Sequence, residues 1–511
     1  MDYKPVTAVW EITMGCNMRC KHCGSSCENA LEGEVTTEEA LNLCDQLGEL
    51  GFQWITMSGG EPTTRKDWNL IAQGLTRNKI IPNIITNGWL FDEDILKKAV
   101  DAGVNTIAIS IDGLEETHDF IRKPGSYKRI MNSFELMQKN CTTCAAITTV
   151  NVMNIKELPL LREELVKRGV GAWQLQIGLP MGNMAHNREL TMDPSCVDEI
   201  IDFAYETNKG GFGIDIQLAD CLGYYNRKEL EARKASDPNS EYYWNGCNAG
   251  KYSMGILHNG DILGCTSIRD KKFIEGNVKV TPVKEIWDNP ESFKWNRCMT
   301  KDQLTGLCGK CGYGETCLGG CANTRITMEN NLYSENKYCS YNYAISKAKK
   351  QLDSIEDIEV LKAKAAKFLD AGNLQLTGVV LEKALQKDGD DYRLLSDYGF
   401  VSFMLGNYKD SESANRKVLS TYPDDAYAHK GLGLCLARQG NVEDGIQLLE
   451  RAIELADEGF LDPYNDLAVV LFENNRCRDA LDILEAGRKK STDFKEKTQS
   501  FYEMILEAAK S

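Results

Sequence analysis

The sequence predicts an α/β protein: a partial (β/α)6 barrel, followed by a loop-rich, cysteine-rich domain and an all-α repeat domain. Three observations carry this prediction. Short apolar or β-branched runs alternate with helical patterns over about the first 180 residues. Glycine and cysteine then rise, and helical periodicity fades, from about 215 to 345. Paired turn residues finally recur at a fixed step from about 355 onward. The expected domains are residues 1–214, 215–350 and 351–511.

The strand runs are Val6–Thr13, Trp54–Ser58, Pro82–Thr86, Asn105–Ile111, Ala145–Val150 and Trp173–Ile177. Helices fill the gaps. In Thr36–Leu50, Thr36 and Glu39 make a capping box, and Ala40, Leu43, Cys44, Leu47 and Leu50 form the apolar stripe. Strands alternating with helices imply a parallel sheet. In a barrel of such units the loops after the strands carry the chemistry. In the middle region His258-Asn259-Gly260-Asp261 reads as a hairpin turn. In the last third, Gly372-Asn373, Gly406-Asn407, Gly440-Asn441 and Asn474-Asn475 recur at steps of 34 residues, with Ala384, Val418, Ala452 and Ala486 in step. A 34-residue period with a turn between two helices is the tetratricopeptide signature. Thr377, Ser411, Gly445 and Asp479 stand where that family usually has a small Ala.

The 511 residues carry 42% apolar and 26% charged side chains, ordinary values for a globular chain. No apolar run is long enough to cross a membrane, and the N-terminus lacks a signal-peptide stretch, so no membrane partner and a cytoplasmic location are expected. A net charge of -16 argues against nucleic acid as a main partner, since phosphate binding needs clustered Lys and Arg. Residues 351–511 hold 20 Lys and Arg against 30 Asp and Glu, which suits either a solvated helical surface or a dock for a basic segment. The 19 cysteines, clustered in a chain expected to stay reduced, point to metal ligation rather than disulfides.

Cys16-x3-Cys20-x2-Cys23 follows directly on the first strand. Three thiolates can hold three irons of a [4Fe–4S] cube, leaving the fourth open to chelate an amino acid through its amino and carboxylate groups. Soft thiolates favour iron–sulfur or zinc. A structural zinc wants four ligands, and Cys27 or His22 would have to complete it. Here the chain resembles the radical S-adenosylmethionine (SAM) superfamily, whose hallmark is this spacing after the first barrel strand, with a residue like His22 before the third Cys. Further motifs match in order: Ser58-Gly59-Gly60-Glu61-Pro62, Thr86-Asn87-Gly88, Ser110-Ile111-Asp112-Gly113, and Gln174 and Gln176 before Pro180-Met181-Gly182. The resemblance implies that the three cysteines hold the SAM-binding [4Fe–4S] cluster. It also implies that His22, Gly59, Gly60, Glu61, Asn87, Ser110, Asp112, Arg122 and Gln176 line the SAM pocket. A Gly60→Val change is then expected to abolish SAM binding with the iron retained.

Cys247-x12-Gly260-x4-Cys265, Cys308-x2-Cys311-x5-Cys317-x3-Cys321 and Cys339 make a second array. From the residues alone, two zinc-ribbon-like sites are the competing reading. The array resembles the SPASM domain of peptide-modifying radical SAM enzymes, which implies two auxiliary clusters, expected as [4Fe–4S]. The outer would use Cys308, Cys311, Cys317 and Cys339; the inner would use Cys247, Cys265 and Cys321. Relatives often place a fourth inner ligand where this chain has Glu241, so the inner cluster either keeps an open iron or recruits Cys221. Thr266 stands where sulfatase-maturing relatives carry a basic Asp, which argues against that activity.

Cys221 reads first as a spare cluster ligand and next as the candidate catalytic residue, a hydrogen-atom donor, a role Cys27 could also fill; a plain buried thiol is its other reading. Cys44, Cys435 and Cys477 read as core thiols; Cys141, Cys144, Cys196 and Cys298 have no evident role. The expected function is a radical SAM maturase. It would abstract hydrogen from a ribosomally made peptide and form a thioether or carbon–carbon cross-link, with electrons from a donor such as flavodoxin or ferredoxin. The alternatives are a peptide epimerase and an enzyme on a non-peptide substrate such as a haem precursor. The C-terminal repeats are expected to hold the precursor peptide, since the first strand begins by about Val6 and leaves no room for a leader-binding domain before it.

Overall fold

The computed structural model describes residues 3–140, 143–234 and 244–510; Cys141 and Glu241 lie outside them. Parallel strands β1 (Thr7–Thr13), β2 (Trp54–Gly59), β3 (Ile81–Thr86), β4 (Thr106–Ser110), β5 (Cys144–Val150) and β6 (Ala172–Ile177) pair in sequence order. Helices separate them, beginning with α1 (Thr37–Leu50), whose Thr36–Glu39 capping box forms as expected.

The period-two alternation of the strands sorts their side chains onto two faces. Trp10, Ile55, Met57, Ile84, Ile109 and Trp173 are buried in the apolar core beneath the helices. The alternate residues, among them Glu11, Ser58, Ser110, Thr149, Gln174 and Gln176, line a cavity on the other face. An interior of polar side chains is poor for packing and suits a bound polar ligand.

The sheet is larger than the expected six strands. β7 (Asp215–Leu218) adds in parallel beyond β6, and β8 (Ser253–Ile256) adds in parallel beyond β1, followed by antiparallel β9 (Asp261–Leu263) and β10 (Gly276–Asn277). The hairpin at Asn259-Gly260 therefore does not stand alone: it extends the barrel sheet to ten strands in the order β10-β9-β8-β1-β2-β3-β4-β5-β6-β7. This places Cys265, two residues past β9, on the same sheet as the first cysteine loop. An ion pair reinforces the joint: Arg269 holds buried Glu11 of β1 through both guanidinium nitrogens and reaches Ser25 of the first cysteine loop.

The chain divides into two compact units. The first runs through Gly309 and resumes at Gly314–Tyr343, so the barrel and most of the cysteine-rich region share it. The second comprises Lys310–Tyr313 and everything from Ala344 onward. It is built from helix pairs: Ile358–Asp370 with Leu374–Lys387, Tyr392–Met404 with Tyr408–Thr421, Ala426–Arg438 with Val442–Leu455, and Asp462–Glu473 with Cys477–Arg488. The 34-residue turns fall between the members of each pair. The left-handed residue is Gly372, Gly406 and Gly440 in the first three and Asn475 in the last, one residue out of step. The hydroxyls at unusual positions are satisfied: Thr377 donates to the Asn373 carbonyl at 2.8 Å and Ser411 to the Gly399 carbonyl at 2.7 Å. Lys310 belongs to this unit through ion pairs to Glu382 (2.6 Å) and Asp410 (3.2 Å). Among the described residues no helix is long and apolar enough to cross a membrane.

Candidate active site

The loop after β1 carries Cys16, Cys20 and Cys23 into the mouth of the barrel, where all three line a cavity of about 560 Å³. Several contacts fix this loop. The Cys16 amide donates to the Glu28 carbonyl at 2.9 Å. Glu34 accepts from the Met14 amide at 2.7 Å and the Thr13 hydroxyl at 3.1 Å. The Gly60 and Glu61 amides donate to Thr13 and Gly15 carbonyls, each at 2.8 Å, so the end of β2 lies directly against the loop.

That proximity explains Gly59 and Gly60. A Cβ on Gly60 would stand 2.2 Å from the Gly15 carbonyl oxygen, and one on Gly59, whose φ is +132°, 2.2 Å from the Thr13 carbonyl oxygen. The two glycines admit the cysteine loop itself, as well as lining the cavity.

Of the expected pocket residues, His22, Gly59, Gly60, Asn87, Ser110, Arg122 and Gln176 line the cavity; Glu61 and Asp112 lie behind it. Glu61 is buried and accepts hydrogen bonds from the Asn87 amide (2.6 Å), the Thr86 hydroxyl (2.8 Å) and the Thr63 hydroxyl (2.6 Å). It ties the end of β2 to the end of β3. Asp112 is fully buried. It accepts from His22 Nε2 at 2.6 Å, from Arg122, and from the Thr149 amide at 2.8 Å. Burial alone would raise its carboxyl, but Arg122 and then His22 overcome that and hold it well below the usual carboxylate range. Asp112 thus fixes His22, the residue before Cys23, and Arg122, whose guanidinium reaches the Cys20 sulfur at 4.0 Å.

The thiols differ in character. Burial pushes Cys20 up to about 12 against the pull of Arg122. Cys27, as hydrogen-bond donor, draws Cys23 well below the usual thiol range. Asn87 points its side-chain amide at Asn17 (2.7 Å) and towards Cys16 (3.9 Å).

The second array contributes Cys265 and Cys321 to the same cavity, together with Cys221. Electrostatic contact links Cys321 to Cys247, Cys221 and Cys265. Cys308 accepts the Asn336 amide and Cys339 the Asn342 amide, each at 3.4 Å, while Cys317 is buried. Cys311, in the second unit, accepts the Tyr313 amide at 3.4 Å. Backbone N–H groups aimed at sulfur stabilise thiolate and are a feature of iron–sulfur ligation. The core thiols are placed as donors, Cys44 and Cys144 to the Ile71 and Gly169 carbonyls and Cys435 to the Ser411 hydroxyl, while Cys339 also reaches the Tyr224 carbonyl at 3.8 Å. The cavity and the sulfur environments fit a SAM-binding cluster loop facing an auxiliary thiolate set.

His118 supplies a pH test. Its Nδ1 accepts the Asp112 amide at 3.0 Å, and burial, then Arg122, drive it down to about 3. The unfolded chain protonates this ring below about 6.5 while the folded chain does not, so stability is present at neutral pH and lost as pH falls. From pH 7 to pH 5 the His118 contribution should fall by about 2 kcal/mol. Thermal unfolding of the apo-protein at both pH values measures it, and His118→Gln should flatten the slope.

The comparisons with known proteins agree with this geometry. Residues 10–165 match the family described as the radical SAM superfamily, residues 247–312 an iron–sulfur cluster-binding (SPASM) domain, and residues 403–459 a tetratricopeptide repeat. The AdoMet-dependent heme synthase of Methanosarcina barkeri is 31% identical over 352 residues, covering 67% of this chain and 98% of that protein. Mycofactocin maturase MftC of Mycobacterium ulcerans is 25% identical over 323 residues, 62% of this chain and 83% of that one. The crystal structure of Streptococcus suis SuiB bound to S-adenosylmethionine superposes with a TM-score of 0.55 at 16% identity, covering 66% of this chain and 77% of that one. The chain belongs to the radical SAM superfamily. It is a SAM-dependent, iron–sulfur enzyme whose barrel is followed by a SPASM domain and by tetratricopeptide repeats.

Proposed function

We propose that this enzyme is a peptide maturase, with a ribosomally made peptide held by the repeat unit while one of its residues enters the barrel cavity. When bound, SAM and its cluster supply a 5′-deoxyadenosyl radical, and two auxiliary [4Fe–4S] clusters supply electron-transfer centres. The chain's own residues do the rest. Cys16, Cys20 and Cys23 hold the cluster, and His22, Arg122 and Asp112 fix their loop. Gly59, Gly60, Asn87, Ser110 and Gln176 orient SAM. The apolar core behind the strands and the SPASM domain in front keep water from the reacting carbon. A flavodoxin or ferredoxin is the electron donor we infer.

The observation that carries the peptide reading is the repeat unit. The heme synthase relative is matched over 98% of its length by 352 residues of this chain, so roughly a third of the chain has no counterpart there. Stacked helix pairs offer a groove for an extended or helical peptide. The first helices of successive pairs lie side by side, bridged by Arg438–Glu473 (2.6 Å) and Lys430–Asp466 (3.7 Å). On Tyr392–Met404, Phe400 and Met404 stand exposed one turn apart. Proteins of the same fold have been solved with peptides, including SuiB with its precursor peptide SuiA. A haem precursor is the second reading, favoured by the identity to the heme synthase.

Anaerobic incubation with SAM, dithionite and either candidate short peptides drawn from the neighbouring reading frames or an iron porphyrin carboxylate separates the two by mass spectrometry. Loss of two hydrogens from the peptide, with the porphyrin unchanged, supports the proposal; the reverse overturns it. In the same assay Phe400→Ala with Met404→Ala should weaken peptide binding at least tenfold, about 1.4 kcal/mol. SAM cleavage without substrate should stay as it was.

A further inference from the structure

We propose that Cys221 is the fourth ligand of the inner auxiliary cluster, completing Cys247, Cys265 and Cys321. The inference rests on the auxiliary-cluster reading above and extends it to a residue outside the spacing of the array. Cys221 lies just past the end of β7, and its sulfur accepts the Ile177 amide at 3.4 Å. That is the environment of Cys308, Cys311 and Cys339, each of which also accepts an amide at 3.4 Å. Cys44 and Cys144 donate to carbonyls and accept no amide from a distant residue, whereas Cys339 both accepts the Asn342 amide and donates to the Tyr224 carbonyl at 3.8 Å.

The loop that carries Cys221 is bound to the loop that carries Cys321. Thr324 donates to the Cys221 carbonyl at 3.3 Å, and the Cys321 amide donates to the Tyr224 hydroxyl at 2.9 Å. Cys221, Cys265 and Cys321 line one cavity, and Cys321 is in electrostatic contact with Cys221, Cys247 and Cys265 alike. Three soft sulfurs lining one cavity, with Cys247 as the fourth in the electrostatic surroundings of Cys321, would make a complete set for an iron–sulfur cube. Binding requires only that the Cys221 thiol release its proton to solvent as the Fe–S bond forms. The fold thereby supplies, from the end of the seventh strand, the ligand that the array itself lacks. With its sulfur bound to iron, Cys221 has no S–H to give, so the hydrogen-donor role is excluded.

The test uses the full chain with Cys16, Cys20 and Cys23 changed to Ala, so that only auxiliary clusters form, followed by iron analysis and electron paramagnetic resonance with and without cyanide, which binds iron only where a coordination position is open. In this background the signals should not respond to cyanide. Adding Cys221→Ala should make one of the two signals cyanide-sensitive or remove its cluster. Cys221→Ser, which keeps the size and can ligate through oxygen, should retain the cluster with a shifted signal. Cys144→Ala, a core thiol, should change nothing. A signal that responds to cyanide while Cys221 is present, or spectra indifferent to both Cys221 substitutions, overturns the assignment and leaves the auxiliary clusters standing. Absence of iron from the starting background overturns the auxiliary-cluster reading and this inference together.

Discussion

Replacing Cys16, Cys20 and Cys23 together by Ala removes all SAM cleavage and about a third of the roughly 10–12 irons expected after anaerobic reconstitution. The three thiols share one loop and one cavity; Cys27 lines the same cavity and lies 3.9 Å from the Met14 sulfur. The remaining iron should stay with the SPASM cysteines, because Cys247, Cys265 and Cys321 are held by their own strands and loops. Iron and sulfide analysis with detection of 5′-deoxyadenosine reads both effects. Stoichiometric zinc in the triple variant would show that the second array is a zinc site instead.

Gly60→Val also abolishes SAM cleavage, but by a route the sequence does not suggest. From sequence, the added side chain stands where SAM needs the backbone, and the iron stays. In the structure the Cβ would lie 2.2 Å from the Gly15 oxygen, 2.7 Å from the Gly15 carbonyl carbon and 2.8 Å from the Met14 oxygen. All three are backbone atoms of the cysteine loop, which cannot rotate away as a side chain can. Overpacking of this kind costs about 1–3 kcal/mol or more, and relief comes from moving the loop. The expected result is therefore the loss of the same third of the iron together with SAM cleavage. Full iron content with SAM binding alone abolished would restore the simpler explanation.

The alternation of strands and helices, the α1 capping box, the Asn259-Gly260 hairpin and the 34-residue turns were legible because each is a local pattern with its own physical cause. The cysteine spacings were legible for the same reason. β7 was not: Asp215–Leu218 is only four residues long and alternates exposed and buried positions, too short a run to separate from a loop. The place of Glu61 and Asp112 behind the cavity was also invisible. A motif names the residue at a strand end, but not whether its carboxylate faces the ligand or the neighbouring strand. Here the amides of Asn87 and Thr149 and the Arg122 guanidinium determine that both face inward. The one-residue slip at Asn475 escaped because Asn474 and Asn475 both tolerate the turn, and only the backbone shows which one adopts the left-handed conformation. The bond from the Ile177 amide to the Cys221 sulfur joins residues 44 apart in the chain, which no local pattern shows.

A radical formed beside Cys16, Cys20 and Cys23 is expected to take hydrogen from a peptide. The measurement is the deuterium content of the 5′-deoxyadenosine formed when the reduced holoenzyme is incubated anaerobically with SAM and a fully deuterated candidate peptide from the neighbouring reading frames. One deuterium should be transferred per modified peptide. Formation of 5′-deoxyadenosine without deuterium, while a deuterated porphyrin carboxylate does transfer its label, would contradict it.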